Sequence, residues 1–294
     1  MVTQYFTNRK INLIAGLGIV AVLLLTGCGG TTSAPASSST SASTSTGAIN
    51  SNIASATLKH VPHGIANISW DPTRQGLTVK ISLIGLAPSS THPANINSGS
   101  CVKQGAVVYP LQNVVADARG VGTSTTAIKN VTKIPASGWY INVHNGPNLA
   151  PSDQFLPIVC SNLTLTTVSP TSSLSLQVPL ITAPPASAGE TVSGMAHLTL
   201  AGSTLAVKLT LSGLEPKSMH AAHIHAGSCE SQGAVVYPLK TVVSDALGKA
   251  NVTTTIANVS SIPSSGWYVN VHHSTDISTQ TGFDPIACGN VMVG

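Results

Sequence analysis

The stretch MHAAHIHAGSC, residues 219–229, concentrates three histidines and one cysteine in a single short segment. The chain around it is poor in charge, with only 7% Asp, Glu, Lys and Arg. Alternate residues of a β-strand point to the same face, about 7 Å apart. A strand here therefore places the imidazoles of His223 and His225 on one face and Ile224 on the other. Two imidazoles on one side of a rigid strand are part of a metal site.

The composition of the whole chain is typical of an all-β protein. Hydrophobic residues make up 42% of its 294 residues, and most are Val, Ile and Leu in short alternating runs. Branched side chains and a period of two favour strands, so we predict an all-β fold. The net charge of +4 is not gathered in a basic cluster, which argues against nucleic-acid binding. A mild positive balance suits a small anionic substrate or an anionic surface.

The N-terminus has the features of an export signal. Arg9 and Lys10 precede an apolar run at residues 11–25, which has the length of a signal peptide and is short for a spanning helix. The run closes on LTGC, which resembles the lipobox of bacterial lipoproteins. We expect residues 1–28 to be a lipoprotein signal peptide that ends at Cys28, the lipidated residue. The alternative is an uncleaved anchor helix.

The predicted lipid anchor also indicates where in the cell the protein lies. Residues 29–51 are rich in Ser and Thr, so they are expected to form a flexible linker. Both interpretations of the N-terminus place the folded part outside the cytoplasmic membrane. We therefore expect a lipid-anchored protein on the extracytoplasmic face of a bacterial cell membrane, with the membrane as a partner.

An internal repeat without gaps organises the remaining residues. The segment QGAVVYPL occurs at residues 104–111 and again at 232–239, and GWY-x-NVH occurs at 138–144 and 266–272. Both pairs of segments are offset by 128 residues. A fixed offset over this length indicates two copies of one domain.

The repeat predicts the domain boundaries. We place the two copies at residues 52–168 and 188–294, with a linker rich in Pro, Ser and Thr at 169–187. The second copy has seven short predicted strands separated by Gly and Pro turns. This pattern is typical of a β-sandwich or a Greek-key barrel.

Four cysteines remain besides Cys28, two in each predicted copy. The members of each pair are 59 residues apart: Cys101 and Cys160, then Cys229 and Cys288. In an exported domain the simplest arrangement is one disulfide per copy, with free buried thiols as the alternative. Closing such a loop contributes about 4 kcal/mol on the chain-entropy model.

A third imidazole is available from the segment WYVNVH, residues 267–272. Its alternation places Tyr268, Asn270 and His272 on a polar face of a predicted strand. If this strand lies beside the His223 and His225 segment, three imidazoles meet with room for water. Such a set would hold copper, or zinc. A surface histidine at a strand end is the alternative.

These segments resemble two related families. Residues 214–229 carry H-x-x-H-x-H and a nearby half-cystine, and they resemble the first metal-binding segment of bacterial Cu,Zn superoxide dismutases. Residues 285–291 resemble the C-terminal segment of that family, with its partner half-cystine. The segment YVNVH, residues 268–272, is similar to a strand of the chordin-type (CHRD) domain.

The dismutase resemblance implies a fold and a role for each residue. It implies that each copy is a Greek-key domain of the Cu,Zn superoxide dismutase-like type. The implied roles are copper ligands for His223, His225 and His272, a structural histidine that ties a loop by hydrogen bonds for His220, and an intradomain disulfide for Cys229 and Cys288.

The sequence departs from the dismutase pattern at two places in the second copy. No histidine occurs between Cys229 and Trp267, so the bridging histidine and the zinc ligands of that family are missing. Pro285 stands where the family has the arginine that guides superoxide. We therefore expect superoxide turnover to be low or absent, and no catalytic residue is assigned.

The first copy departs further. The positions of His223 and His225 hold Asn95 and Asn97 there. Asparagine is a poor ligand for copper and zinc, so only the second copy is expected to hold a metal. The sequence thus predicts a membrane-anchored, copper-binding, dismutase-like lipoprotein. The alternatives are a non-catalytic CHRD-type structural or interaction module and a copper scavenger at the cell surface.

Overall fold

The computed structural model describes residues 52–165, 172–181 and 191–294. The predicted signal peptide, Cys28 and the Ser/Thr-rich linker lie outside these described residues. Within them the chain is all-β, as predicted, with strands throughout and two helices of one turn each. No helix of the described ranges is long and apolar enough to cross a membrane.

The described elements fall into an N-terminal half, residues 52–165, and a C-terminal half, residues 172–181 and 191–294. The N-terminal half contains β1 (Ile53–His60), β2 (His63–Asp71), β3 (Gly76–Ile84), β4 (Thr91–His92), β5 (Ala94–Gly99), β6 (Gln104–Pro110), β7 (Val114–Ala116), β8 (Gly122–Ile128), β9 (Trp139–His144), α1 (Ser152–Phe155) and β10 (Pro157–Leu163). The C-terminal half contains β11 (Leu174–Leu180), β12 (Ser193–Ala201), β13 (Thr204–Ser212), β14 (Met219–His220), β15 (Ala222–Ser228), β16 (Ser231–Pro238), β17 (Val242–Val243), β18 (Ala250–Ala257), β19 (Trp267–His272), α2 (Gln280–Phe283), β20 (Pro285–Asn290) and β21 (Met292–Val293).

Two antiparallel sheets supply the core of the N-terminal half. One has the order β11-β2-β3-β8-β7-β4, and the other has the order β10-β9-β5-β6. Alternate residues of β3 are buried, as a strand with one face on a core requires. Val79 and Ile81 from the first sheet share one buried cluster with Ile141 and Val159 from the second.

The C-terminal half has the corresponding strands, joined into a larger sheet. Its order is β16-β15-β19-β20-β1-β12-β13-β18, with β21 paired to β1, and β14 pairs separately with β17. Val207 and Leu209 of β13 share a buried cluster with Ile224 of β15 and Val269 of β19. The antiparallel all-β class is therefore confirmed, while the Greek-key connectivity stays a prediction.

Two strands complete the half to which they do not belong in sequence. Strand β1 pairs with β12, and its Ala54, Ala56 and Leu58 lie in the buried cluster of the C-terminal half. Strand β11 pairs with β2, and its Val178 and Leu180 lie in the buried cluster of the N-terminal half. The two halves therefore exchange one strand each.

This exchange differs from the predicted domain boundaries. Leu174–Leu180 lies inside the predicted linker 169–187, yet it forms β11 at the edge of a sheet. Its Ser and Pro residues indicate a loop by composition, but an edge strand tolerates a proline because one side of its backbone needs no partner. Residues 53–60 belong to the predicted first copy in sequence and to the C-terminal sheet in space.

Both predicted disulfides are present. They join Cys101 to Cys160 and Cys229 to Cys288, each with a Cα–Cα distance of 5.9 Å. The second disulfide shares a small buried cluster with Tyr268.

Candidate metal centre

Strands β15 and β19 lie side by side and carry the candidate ligands. Their antiparallel register pairs His223 with Asn270 and His225 with Tyr268. The intervening Ile224 turns into the hydrophobic core of the C-terminal half. The alternation predicted from the sequence therefore puts both histidines on the face that also carries the polar residues of β19.

The three histidines converge on one point. Ligand nitrogens of His223, His225 and His272 all lie within 4.8 Å of one another. The ring centroids are 5.1 Å apart for His223 and His272 and 5.5 Å apart for His223 and His225. His272 is 0% and His225 2% exposed, whereas His223 is partly exposed. The cluster is therefore reached from the side of His223.

Backbone carbonyls hold two of the rings. The Nδ1 of His225 donates to the carbonyl of Gly233 over 3.0 Å, and the Nδ1 of His272 donates to the carbonyl of Phe283. Since a carbonyl only accepts, each Nδ1 carries the proton and each Nε2 keeps its lone pair. A hydrogen bond from the ring nitrogen that does not bind the metal orients a metal-binding histidine and sets its tautomer.

Burial keeps these imidazoles neutral. Burial, with a smaller contribution from the neighbouring His223 and His225, lowers the pKa of His272 to about 4. Burial also lowers the pKa of His223 and of His225, and the charge of His225 adds to the effect at His223. A metal ion needs the deprotonated ring, so at neutral pH protons compete little for this cluster.

Buried polar atoms next to the cluster lack partners. The Nε2 of His225 and both amide atoms of Asn270 are buried without a hydrogen-bond partner among the described residues. Such atoms cost about 1–3 kcal/mol each when nothing satisfies them. Three imidazoles without a carboxylate suit copper or zinc, and a metal ion would bind the free Nε2. The residues therefore fit the group that the sequence predicts.

His220 lies outside the cluster and supports it. Its Nδ1 donates to the carbonyl of His272 over 3.0 Å, and its Nε2 lies 2.6 Å from the hydroxyl of Ser218. The contact with His272 ties the segment before β15 to the end of β19, and the contact with Ser218 holds the other ring nitrogen within that segment. This is the geometry that the predicted loop-tying role requires.

In the N-terminal half, amides stand in for two of the three imidazoles. Asn95 donates through Nδ2 to the Nε2 of His144 over 3.2 Å, and Asn97 donates to the hydroxyl of Tyr140 over 3.1 Å. The Nδ1 of His144 is held by the carbonyl of Phe155, as His272 is held by Phe283. Hydrogen-bonded amides thus occupy the positions of two candidate ligands, and the described residues form a three-ligand cluster only in the C-terminal half.

The polar face of β19 is buried, which the alternation alone does not predict. Tyr268 and His272 are 0% exposed and Asn270 is 1% exposed. On this face the ring of Phe283, in α2, lies 4.8 Å from that of His272. Alternation tells the two faces apart but does not reveal what packs on each. Asn270 and the carbonyls of Gly233 and Phe283 therefore belong to the site without a signal in the sequence that predicts them.

Acid is expected to destabilise the N-terminal half through His92. This residue is 0% exposed, and burial lowers its pKa to about 4 although its Nδ1 donates to the carbonyl of His144. The unfolded chain takes up the proton near pH 6.5, whereas the folded chain resists it until about pH 4. The free energy of unfolding should therefore fall by up to about 3 kcal/mol as the pH drops through this window.

Urea unfolding from pH 7 to pH 4 measures this effect. His92→Gln is expected to flatten the decline of the unfolding free energy in that window. His197→Gln changes an exposed histidine and should leave the decline as it is. Equal slopes for the wild-type chain and His92→Gln would contradict the assignment.

Comparisons with known proteins identify one domain. The family model of the CHRD domain matches residues 173–276. No curated protein matches the chain. Among similar solved structures, one titled "Crystal Structure Analysis of the clock protein EA4" is 20% identical, covers 36% of this chain and 89% of that chain, and has a TM-score of 0.28. A CHRD domain therefore lies at residues 173–276, and this range includes all three histidines of the cluster.

Proposed function

We propose that the C-terminal half binds one copper ion through His223, His225 and His272. The observation that carries this proposal is the convergence of three ligand nitrogens within 4.8 Å on two paired strands. The proposal places the site on the extracytoplasmic face of the membrane, with the lipid anchor at Cys28. It also includes two tandem copies of a dismutase-like Greek-key domain, of which only the second holds the metal.

The donor set favours copper over the other common metals. Magnesium and calcium prefer oxygen ligands, and this cluster offers only imidazole nitrogens. Divalent copper binds nitrogen sites more tightly than divalent zinc does, so zinc is the weaker candidate. A bound copper ion would supply one-electron redox chemistry. The protein's part is to hold the rings through the carbonyls of Gly233 and Phe283 and to keep most of the cluster away from water.

We propose copper binding rather than rapid superoxide turnover. Pro285 pairs with His272 across β19 and β20, and it is buried. A proline at this place supplies no positive charge to attract an anion to the cluster. Copper storage or scavenging at the cell surface is therefore the form of the function that we favour.

A non-catalytic structural or interaction module is the second candidate. The CHRD match favours it, because the match covers the histidine cluster without indicating a metal. The N-terminal half favours it too, since its Asn95 and Asn97 build the same region of the fold with hydrogen bonds alone. In this case, substitutions in the cluster would leave the function unchanged.

Copper titration of the purified full chain separates the two candidates. We expect about one Cu(II) per chain, with nitrogen hyperfine structure in the EPR spectrum. His223→Ala combined with His225→Ala should weaken copper binding more than about 100-fold. This loss exceeds the one expected from removing a hydrogen bond to a metal-binding histidine. Asn95→Ala with Asn97→Ala is the matched control and should bind as the wild type does. Equal copper binding by both double variants would overturn the proposal.

A further inference from the structure

Asn270 has a buried side-chain amide that no described residue satisfies by a hydrogen bond. It is 1% exposed, and neither its Nδ2 nor its Oδ1 has a hydrogen-bond partner among the described residues. A structural asparagine in a core has its amide satisfied, because desolvating an unpaired amide is costly. The amide therefore requires a ligand that the described part of the chain does not supply.

The register places Asn270 beside the histidine cluster. It pairs with His223 on one neighbouring strand and with Cys288 on the other. On its own strand it shares a face with Tyr268 and His272. Its side chain thus lies among residues of the cluster, between the two strands that flank β19.

The N-terminal half shows how far this side chain reaches. Asn142 occupies the position that corresponds to Asn270, and its Nδ2 lies 3.4 Å from the Nε2 of His144. The corresponding nitrogen in the C-terminal half is the Nε2 of His272, which instead lies 3.1 Å from the Nδ1 of His223. An amide at this position therefore reaches the ligand nitrogens, and in Asn270 it is left without a partner.

We propose that Asn270 binds a small ligand, water or a small inorganic anion, that completes the coordination of the metal ion. This inference rests on the proposed copper site. Three histidines leave at least one coordination position for a molecule from solvent. The amide Nδ2 can donate to an oxygen or nitrogen acceptor at that position. The burial of Asn270 and His272 limits the ligand to a few atoms.

Azide is a suitable probe because it is a small anion whose binding to Cu(II) gives a charge-transfer band. The full chain is loaded with one equivalent of Cu(II) and titrated with azide. Asn270→Leu keeps the size of the side chain and removes its donor. We expect this variant to bind azide about 10- to 100-fold more weakly, as the loss of a hydrogen bond to a charged group predicts. Its copper affinity should stay within a few-fold of the wild type, and Asn142→Leu should leave azide binding unchanged.

A second measurement separates ligand binding from a structural role. Without copper, Asn270→Leu should unfold at the same or a higher temperature than the wild type, because it removes an unsatisfied buried amide. A less stable metal-free variant would assign Asn270 a structural role and overturn the inference. Unchanged azide affinity in the copper-loaded variant would also overturn it. A wild-type chain that does not bind copper would instead refute the proposed function on which it rests.

Discussion

Replacing Asn95 and Asn97 with histidine is expected to create a second copper site, in the N-terminal half. Both residues lie on β5 and pair with Asn142 and Tyr140, as the two histidines of β15 pair with Asn270 and Tyr268. The third ligand is already present, because the Nδ1 of His144 donates to the backbone and its Nε2 faces Asn95.

The remaining support for the new rings is also in place. Asn97 lies 3.5 Å from the carbonyl of Gly105, which corresponds to the carbonyl that holds His225. A histidine at position 97 can donate to this carbonyl through Nδ1 and keep Nε2 for the metal. The substitution replaces the hydrogen bonds of two amides with ligand bonds.

Copper content per chain and EPR measure the result. The stoichiometry of Asn95→His with Asn97→His should rise from about one to about two, with a second nitrogen-coordinated signal. Adding His144→Ala should return it to about one, which is the matched control. A folded double variant that still binds a single copper ion would show that the N-terminal half lacks more than its two imidazoles.

The second large effect is expected at Leu58, because this residue stabilises the half to which it does not belong in sequence. It is 1% exposed and packs in the core of the C-terminal half. Leu58→Ala should lower the free energy of unfolding by about 2–5 kcal/mol, through lost burial and the cavity left behind. The loss should fall on the C-terminal sheet, where β1 lies between β20 and β12.

Hydrogen exchange resolved along the chain locates this loss. Leu58→Ala should reduce the amide protection of β12 and β20 more than that of β2 and β3. Ile53→Ala is a control on the same strand, since Ile53 is 61% exposed and should cost little. A loss of protection confined to β2 and β3 would contradict the strand exchange. Copper retention in the variant reports whether the cluster depends on β1.

Several features of this protein followed from local sequence patterns. The period of two over WYVNVH predicted β19 with the bounds that the structure has, Trp267–His272. The equal cysteine spacings predicted both disulfides. The i and i+2 spacing of His223 and His225 placed both rings on one face of β15. The strand and the shared face depend on the geometry of a few consecutive residues. The disulfides were predictable because four cysteines allow only a few pairings.

The sequence by itself determined strand β19, the disulfides and the face on which the histidines lie. Only the tertiary structure decided that β1 and β11 cross between the halves, that the face of Asn270 is buried, and which carbonyls hold the rings. The reason is that strand alternation is a local property of the backbone. The choice of a neighbour depends on contacts such as that between Ile53 and Thr199, which are far apart in the chain.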